Sequence, residues 1–228
     1  MRLSTTTALG LSALTVLALT GCSTTPADSP RPSASAHQDG KNSAMPAPLS
    51  SAALDKRLLN ESDLGEGYTR TAQRPASHDD VTVIGCPALK GLGGDAATGA
   101  SLDFPRKAKA SFAYVGGSDS EVTEELYSDS ADTLSKGVGQ IFEAMVSCPT
   151  YQVTNGSTVI DMGTQKTAAP NLGDEQWSQM LTYTSGGQHS IVKQTAIRTG
   201  GLLVIVSGSP ALVDAHLDKA LAKARTVK

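Results

Sequence analysis

The sequence has few aromatic side chains and no marked excess of charge of either sign. Aromatic residues make up 4% of its 228 positions, and 19 lysines and arginines stand against 22 aspartates and glutamates, a formal net charge of −3 at pH 7. Proteins that bind nucleic acid usually carry a surface rich in positive charge. The near balance of charge gives no reason to expect a nucleic-acid partner.

Long apolar runs are also missing. A membrane-spanning helix needs about 20 apolar residues, whereas the apolar run at 8–19 contains about 12. Farther along, the longest apolar run extends from Gly201 to Val206 and is typical of a buried strand. The sequence therefore predicts no membrane-spanning helix.

The short apolar run ends in Leu19-Thr20-Gly21-Cys22. Its length and its position behind Arg2 are typical of an export signal. The pattern resembles the lipobox of bacterial lipoproteins, in which signal peptidase II cuts before the cysteine and the thiol carries diacylglycerol. We therefore predict that Cys22 is a lipid anchor; an ordinary secretory signal followed by a chance cysteine is the alternative. Two or more acyl chains hold a protein stably, which predicts attachment to the extracytoplasmic face of the cell membrane.

Three segments follow from this interpretation. Residues 1–21 are the signal peptide, 22–50 are the lipidated cysteine with a disordered tether, and 51–228 are a globular extracytoplasmic domain. The tether is rich in serine, proline and alanine, and it has too few large apolar side chains to offset its ordering entropy. A flexible chain of about 28 residues reaches roughly 30 Å. We expect it to hold the domain away from the lipid surface.

Two cysteines remain besides the proposed lipid site, Cys86 and Cys148. An even pair in an exported chain favours a disulfide. Closing a loop of about 60 residues would contribute roughly 4 kcal/mol in the chain-entropy model. Two free buried thiols are the alternative. No set of ligands has the spacing of a zinc site, so we expect neither a metal nor a cofactor.

Alternating apolar positions predict a hairpin in the first half of the domain. Period-two patterns begin at Lys107 and at Val122, with a glycine-rich turn between them. Before this hairpin, 51–59 has the spacing of a short helix, 70–84 is predicted to be irregular or loosely extended, and Cys86-Pro87 begins another short element.

Two longer helices are predicted. Ser130 has the features of an N-cap, and apolar residues recur every three or four positions up to Cys148-Pro149. Near the C-terminus, Ser209-Pro210 begins another helix, whose apolar stripe starts at Val213. These are the two main helices expected of the domain.

Further strands are predicted between these helices. Asn155-Gly156 lies between two β-prone runs and is a strong hairpin signal. Glycine turns then separate runs at 175–184, 189–198 and 202–207, which predicts an antiparallel meander. The fold class is thus α+β: an antiparallel β-sheet of about 5–7 strands packed with two main helices, with one disulfide.

Catalytic motifs are largely absent. The sequence has no P-loop, no G-x-G-x-x-G, no H-E-x-x-H and no G-x-S-x-G. An acidic group at Glu121, Glu124 and Glu125 is interpreted as a solvated strand edge that discourages pairing with other sheets. We therefore assign no catalytic residue.

Trp177 and Tyr183 are the candidate ligand-contacting residues. Trp177 is the only tryptophan, and it shares one face of the predicted strand at 175–184 with Leu181 and Tyr183. That face can line an apolar groove or anchor the core, and the pattern favours the core for Trp177. A groove at Trp177 and Tyr183 is kept as the candidate binding site.

Several motifs resemble the PknH-like extracellular sensor domains. They are Asp63-Leu64-Gly65-Glu66-Gly67-Tyr68, a helix that ends at a cysteine, Leu172-Gly173-Asp174-Glu175 and Arg198-Thr199-Gly200-Gly201-Leu202-Leu203-Val204. Such domains occur on actinobacterial receptor kinases and as free-standing lipoproteins. The resemblance implies an extracytoplasmic α+β domain with a groove for an unidentified ligand. Such domains often have two disulfides, whereas this chain can make only Cys86–Cys148, and no catalytic residue carries over.

Three functions are compatible with these features. The leading hypothesis is a non-enzymatic ligand-binding or sensor-like domain, held at the membrane through Cys22, whose ligand is a small molecule, a lipid or an envelope protein. The second is a protein–protein interaction module of the cell envelope, and the third is an envelope hydrolase. A buried histidine with a perturbed pKa beside a serine or a carboxylate would favour the hydrolase.

Overall fold

The computed structural model describes residues 47–72, 81–93, 96, 102–116 and 120–226. Within them, nine strands form one sheet: β1 (Tyr68–Thr71), β2 (Val81–Ile84), β3 (Lys107–Tyr114), β4 (Glu121–Ser128), β5 (Thr150–Asn155), β6 (Thr158–Lys166), β7 (Glu175–Ser185), β8 (Gln188–Thr199) and β9 (Leu202–Gly208). The helices are α1 (Ser51–Asp55), α2 (Glu61–Leu64), α3 (Pro87–Lys90), α4 (Ala131–Ser147) and α5 (Pro210–Arg225). The proposed lipid anchor at Cys22 lies outside the described residues.

All neighbouring strands are antiparallel, in the spatial order β1-β3-β4-β9-β8-β7-β6-β5-β2. The two edges are formed by β1 and β2, which have four residues each. Such short edge strands offer few unpaired backbone groups to another chain. The sheet order places the last strand beside a strand from the first half of the domain, because β9 lies between β4 and β8.

The strand β9 is buried on both faces, as its continuous apolar sequence predicts. Val204 and Val206 pack on one face with α1 and α5, which we call the α5 face. Leu203 and Ile205 pack on the opposite face with α4, which we call the α4 face. Each face therefore has its own apolar core.

Both long helices begin at the predicted residues. The side chain of Ser130 caps α4 by accepting a hydrogen bond from the N–H of Thr133. Ser209 occupies the N-cap position of α5, but its side chain makes no capping hydrogen bond and instead accepts one from the N–H of Glu121 (3.4 Å). The N-terminus of α5 is thereby joined to β4.

The predicted disulfide between Cys86 and Cys148 is confirmed. The two Cα atoms lie 5.7 Å apart, and the bond joins the residue before α3 to the residue after α4. A separate apolar cluster surrounds it on the α4 face, with Val83, Met145 and Tyr151 among its members. The disulfide therefore closes the outer end of the α4-face core.

Two details of the predicted fold were wrong. The sheet has nine strands within the described residues instead of five to seven, because β1 and β2 are short strands that pair with β3 and β5 far along the sequence. The helix predicted at 51–59 ends at Asp55. The segment 70–84, predicted to be irregular or loosely extended, contains β2 as a regular strand. Of the described helices, none is both long and apolar enough to cross a membrane.

Candidate ligand-binding site

The candidate binding pocket lies where β6 and β7 separate. Their register extends to Lys166 opposite Gln179, and one further hydrogen bond joins the N–H of Thr167 to the carbonyl of Ser178 (3.0 Å). Beyond that bond β6 has ended, whereas β7 extends back to Glu175 with β8 alongside. The separation opens a pocket of about 640 Å³ between the segment after β6, the start of β7 and the C-terminal half of α4.

The inner side of this pocket is aromatic. Phe142 of α4 and Trp177 of β7 line it, with ring centroids 6.3 Å apart and ring planes inclined at 39°. Phe142 is buried, whereas Trp177 is half-buried and packs against the α4-face core from its rim. Val146, Ala168 and Ala169 also line the pocket. An indole surface of this kind suits the flat or apolar part of a ligand.

One buried acceptor near the pocket lacks a partner but does not face it. The side-chain oxygen Oε1 of Gln176 is buried, and no described atom donates a hydrogen bond to it. Gln176 and Trp177 are successive residues of β7, so their side chains leave opposite faces of the sheet, and Gln176 lies opposite Ile197 of the α5-face core. Glu143 and Lys166 place one negative and one positive side chain at the exposed rim of the pocket. The pocket thus combines an apolar inner surface with charged groups at its rim.

Tyr183 lies away from this pocket. It occupies the same face of β7 as Trp177 but sits opposite Met162 of β6, and it packs in the cluster around the disulfide. Burial raises the pKa of Tyr183 above its ordinary value, and the nearby Tyr151 raises it further. The structure therefore places only Trp177 of the two candidate residues at the pocket.

The histidines form no catalytic pair in the part of the chain that is described. Nδ1 of His189 lies 2.8 Å from the hydroxyl of Thr184 at an exposed hairpin end. Nε2 of His216 lies 2.6 Å from the hydroxyl of Tyr68, and burial lowers the pKa of this histidine. Neither described histidine bonds to a serine or a carboxylate, and no group of described residues is suited to hold a metal ion. His78 lies outside the described residues.

Glu124 and Glu125 of β4 are buried, which contradicts the sequence interpretation, whereas Glu121 at the start of the strand is exposed. β4 lies between β3 and β9, so it is an interior strand. Glu125 is buried on the α4 face, where its carboxylate lies 2.8 Å from Nζ of Lys109 and accepts a hydrogen bond from the hydroxyl of Tyr127. Glu124 is buried on the α5 face and accepts a hydrogen bond from the N–H of Leu59.

The residues that carry the family resemblance have structural roles. Nε of Arg198 lies 2.5 Å from the carboxylate of Glu175, and Nη1 donates to the carbonyl of Gly200 at 3.0 Å. A Cβ atom at Gly173 would lie 2.5 Å from the carbonyl oxygen of Arg198, so only glycine allows this approach. These contacts fix the segment before β7 against the turn between β8 and β9. They hold the pocket-bearing end of β7 in place.

The comparison with solved structures identifies proteins of similar fold. The extracellular domain of PknH from Mycobacterium tuberculosis aligns with a TM-score of 0.54 and 17% sequence identity, covering 78% of this chain and 97% of that chain. A Mycobacterium smegmatis protein described as an Rv0999 ortholog aligns with a TM-score of 0.41 and 12% identity, covering 72% of this chain and 93% of that one. No protein-family model and no curated protein matches the chain.

The likeness to the PknH domain confirms the predicted resemblance at the level of the fold. The alignment includes nearly the whole of that domain, so the likeness is not confined to one hairpin or helix. At 17% identity it establishes the shared architecture alone. A shared fold does not specify a function, so the function of this chain depends on its own pocket.

Proposed function

We propose that this protein is an extracytoplasmic, lipid-anchored domain that binds a ligand in the pocket beside Trp177. The observation that carries the proposal is the pocket: an aromatic inner surface formed by Phe142 and Trp177, with the charged side chains of Glu143 and Lys166 at its exposed rim. The fold shared with a domain described as extracellular supports the location. The Cys86–Cys148 disulfide suits an oxidising compartment.

The pocket favours a ligand with a flat or apolar body and at least one N–H or O–H group. Its volume of about 640 Å³ lies within the usual range of small-molecule sites. The indole ring of Trp177 would contact the apolar part, and the carboxylate of Glu143 at the rim would accept the hydrogen bond. Lipids with polar headgroups and envelope glycans both have this combination of groups.

A binding role is favoured over catalysis by the composition of the pocket. The described lining residues include no histidine and no cysteine, and the two charged ones, Glu143 and Lys166, lie at the exposed rim. General acid–base or nucleophilic chemistry needs a reactive group held beside a base or an acid. The lining supplies contacts and one acceptor instead.

The single tryptophan allows a direct test. Because Trp177 is the only tryptophan in the chain, its fluorescence reports on this pocket. Envelope lipid and glycan extracts, fractionated by polarity, are titrated into the purified full chain. We expect at least one fraction to change the emission saturably, and native mass spectrometry of the same sample to show a bound species. Repeated absence of both signals would count against the proposal.

Three variants locate the binding. Ala168 is exposed at the pocket, so Ala168→Phe should fill the space without disturbing the core and should abolish binding. Glu143→Gln keeps the length of the side chain but removes the negative charge of the rim acceptor, and it should weaken binding about threefold. Ile84→Ala, on the other side of the sheet, should bind like the wild type. Undiminished binding by Ala168→Phe would place the ligand elsewhere.

One observation supports an interaction module as a second candidate function. The register of β2, β6 and β8 puts Ile84, Val159 and Ile191 on the α5 face of the outer strands, where all three are about half exposed. Apolar residues on a shared exposed face are a common feature of protein-binding surfaces. Crosslinking in intact cells, compared between the wild type and Ile84→Ser/Ile191→Ser, tests this candidate. A specific crosslinked envelope protein that the variant loses would support it.

A further inference from the structure

A different pocket, on the α5 face, is lined mainly by cations. It has a volume of about 650 Å³ and lies between α1, α2 and the C-terminal half of α5. Four of its lining side chains are positive, Lys56, Arg57, Lys219 and Lys223, and one is negative, Asp63. The whole chain has a formal net charge of −3. Positive charge is therefore concentrated at this pocket against the overall balance of the protein.

Contacts with the protein hold three of these cations in position. Nη1 of Arg57 donates to the carbonyl of Ala224 at 3.0 Å, and Nζ of Lys219 donates to the carbonyl of Asp63. Nζ of Lys223 forms an ion pair with the Asp63 carboxylate. A bond to a carbonyl oxygen fixes a cation without neutralising it. Of the four described cations, only Lys223 is matched by a carboxylate in the pocket.

The stability of α5 accounts for only part of this arrangement. Positive charges near a helix C-terminus offset its partial negative charge, which explains Lys223 and the bond from Arg57 to a terminal carbonyl. Lys56 is the C-cap residue of α1, is exposed, and its side chain makes no hydrogen bond or ion pair to any described residue. The stability of α5 therefore does not account for its charge at the pocket.

We infer that this pocket binds an anion and that the anion is a phosphate-bearing group. Guanidinium and ammonium groups that converge from separate elements suit a multiply charged group with several oxygen acceptors. The hydroxyl of Ser50 also lines the pocket and can donate to such an oxygen, since its only described bond is one that it accepts from the N–H of Ala53. Because most of the donors are already fixed by the fold, little conformational entropy is lost on binding.

The position of the pocket relates this inference to the predicted tether. Ser50, which lines the pocket, is the last residue of the segment predicted to join the domain to Cys22. The predicted tether of about 28 residues has an r.m.s. reach of roughly 30 Å, so it would hold the domain near the bilayer. Anionic phospholipid headgroups and soluble phosphate compounds both supply the required chemistry, so the test must separate these two sources.

Thermal unfolding of the full chain, followed by circular dichroism, measures binding without assuming a source. The probes are inorganic phosphate, short-chain phosphatidylglycerol below its micelle concentration and, as the zwitterionic control, the matching phosphatidylcholine; sodium chloride of equal ionic strength controls for screening. We expect a saturable rise of the unfolding temperature with phosphatidylglycerol and none with chloride. A rise with inorganic phosphate as well would show that the phosphate group suffices. Equal rises with chloride, or with phosphatidylcholine, would overturn the inference.

Charge-removing variants assign the effect to this pocket. Lys56→Gln removes an exposed charge that holds no other group, so it should leave the unfolding temperature without ligand unchanged and weaken binding about threefold. Lys56→Gln/Lys219→Gln should weaken it about tenfold or more. Lys90→Gln, at the end of α3, is the matched control and should bind like the wild type. Unchanged binding by the double variant would refute the assignment, whatever happens at the Trp177 pocket.

Discussion

The carboxylate of Glu124 accepts a hydrogen bond of 2.6 Å from the backbone N–H of Leu59, within the core of the α5 face. Only 1% of the Glu124 surface is exposed, and its second oxygen has no partner among the described atoms. Burial raises the pKa of this carboxyl to about 8, although the hydrogen bond from Leu59 and the charge of Lys223 act in the opposite direction. Glu124 is therefore mainly protonated at neutral pH.

We expect Glu124→Gln to be more stable than the wild type, by a free-energy difference that grows as the pH rises. In the unfolded chain a glutamate loses its proton near pH 4.3, whereas Glu124 in the folded protein keeps its proton up to about pH 8. Between these two pH values, ionisation lowers the free energy of the unfolded state only. The wild type thus loses stability over this interval, whereas the uncharged glutamine does not titrate. One pKa unit corresponds to about 1.4 kcal/mol, so the difference should reach several kcal/mol at pH 8 and then level off.

Urea unfolding at pH 4, 6, 8 and 9, followed by the emission of Trp177, measures this difference. Glu143→Gln provides the control, because Glu143 is exposed on α4 and should show no comparable trend. A free-energy difference between the wild type and Glu124→Gln that does not change with pH would contradict the raised pKa.

Glu124 also illustrates which parts of the fold could be predicted from the sequence. Local signals were sufficient to predict the strand that contains Glu124, the meander that ends in β9 and both long helices. In each of these elements the turn residues and the apolar spacing lie within a few positions of each other. The pairing of β4 with β9 joins segments about 80 residues apart. Without that pairing, an acidic cluster on a strand is reasonably interpreted as a solvated edge, and here that interpretation was wrong.

The candidate site also has one feature that the sequence predicts and others that depend on long-range packing. Trp177 could be singled out because it is the only tryptophan and has a defined face on a predicted strand. The pocket beside it could not, because that space depends on where β6 stops pairing with β7. The cationic pocket likewise depends on the packing of α1 against α5, which no local pattern in the sequence encodes.

The ion pair between Arg198 and Glu175 gives a second stability prediction. Arg198 is 9% exposed, and Arg198→Leu would leave the Glu175 carboxylate and the Gly200 carbonyl without this donor. We expect the free energy of unfolding to fall by about 2–3 kcal/mol at pH 7. Amide hydrogen exchange in the segment 171–175 should also become faster, because Arg198 holds that segment against the turn after β8.

The pH dependence of the destabilisation by Arg198→Leu distinguishes the loss of this ion pair from a simple loss of packing. The hydrogen bond from Arg198 lowers the pKa of Glu175, so the pair stabilises the fold above the ordinary pKa of a glutamate and loses its effect as the pH falls and the carboxylate takes up a proton. The penalty of Arg198→Leu should therefore shrink in acid. Arg106→Leu is the matched control: Arg106 pairs with Asp129 but its side chain is 40% exposed, so its removal should cost under about 1 kcal/mol.

The disulfide should contribute strongly to stability. It closes a segment with a sequence separation of 62 residues, for which the chain-entropy model gives about 4 kcal/mol. Cys86→Ala/Cys148→Ala should therefore unfold at a lower urea concentration than the wild type, and a reducing agent should destabilise the wild type to a similar extent while leaving the double variant unaffected. Equal stability of the oxidised and reduced wild type would show that the bridge does not constrain the unfolded chain.

The proposed lipid anchor predicts a change of location without a change of fold. Cys22 lies outside the described residues, and the variant Cys22→Ala alters only the thiol that would carry the acyl chains. Because one acyl chain binds a membrane only marginally and two or three bind stably, loss of this cysteine should move the protein from the membrane to the medium or leave an uncleaved precursor. Partitioning in Triton X-114 measures this, with the wild type expected in the detergent phase. The soluble variant should keep the circular dichroism spectrum and the Trp177 emission of the wild type, while a variant that still enters the detergent phase after cleavage would disprove anchoring through Cys22.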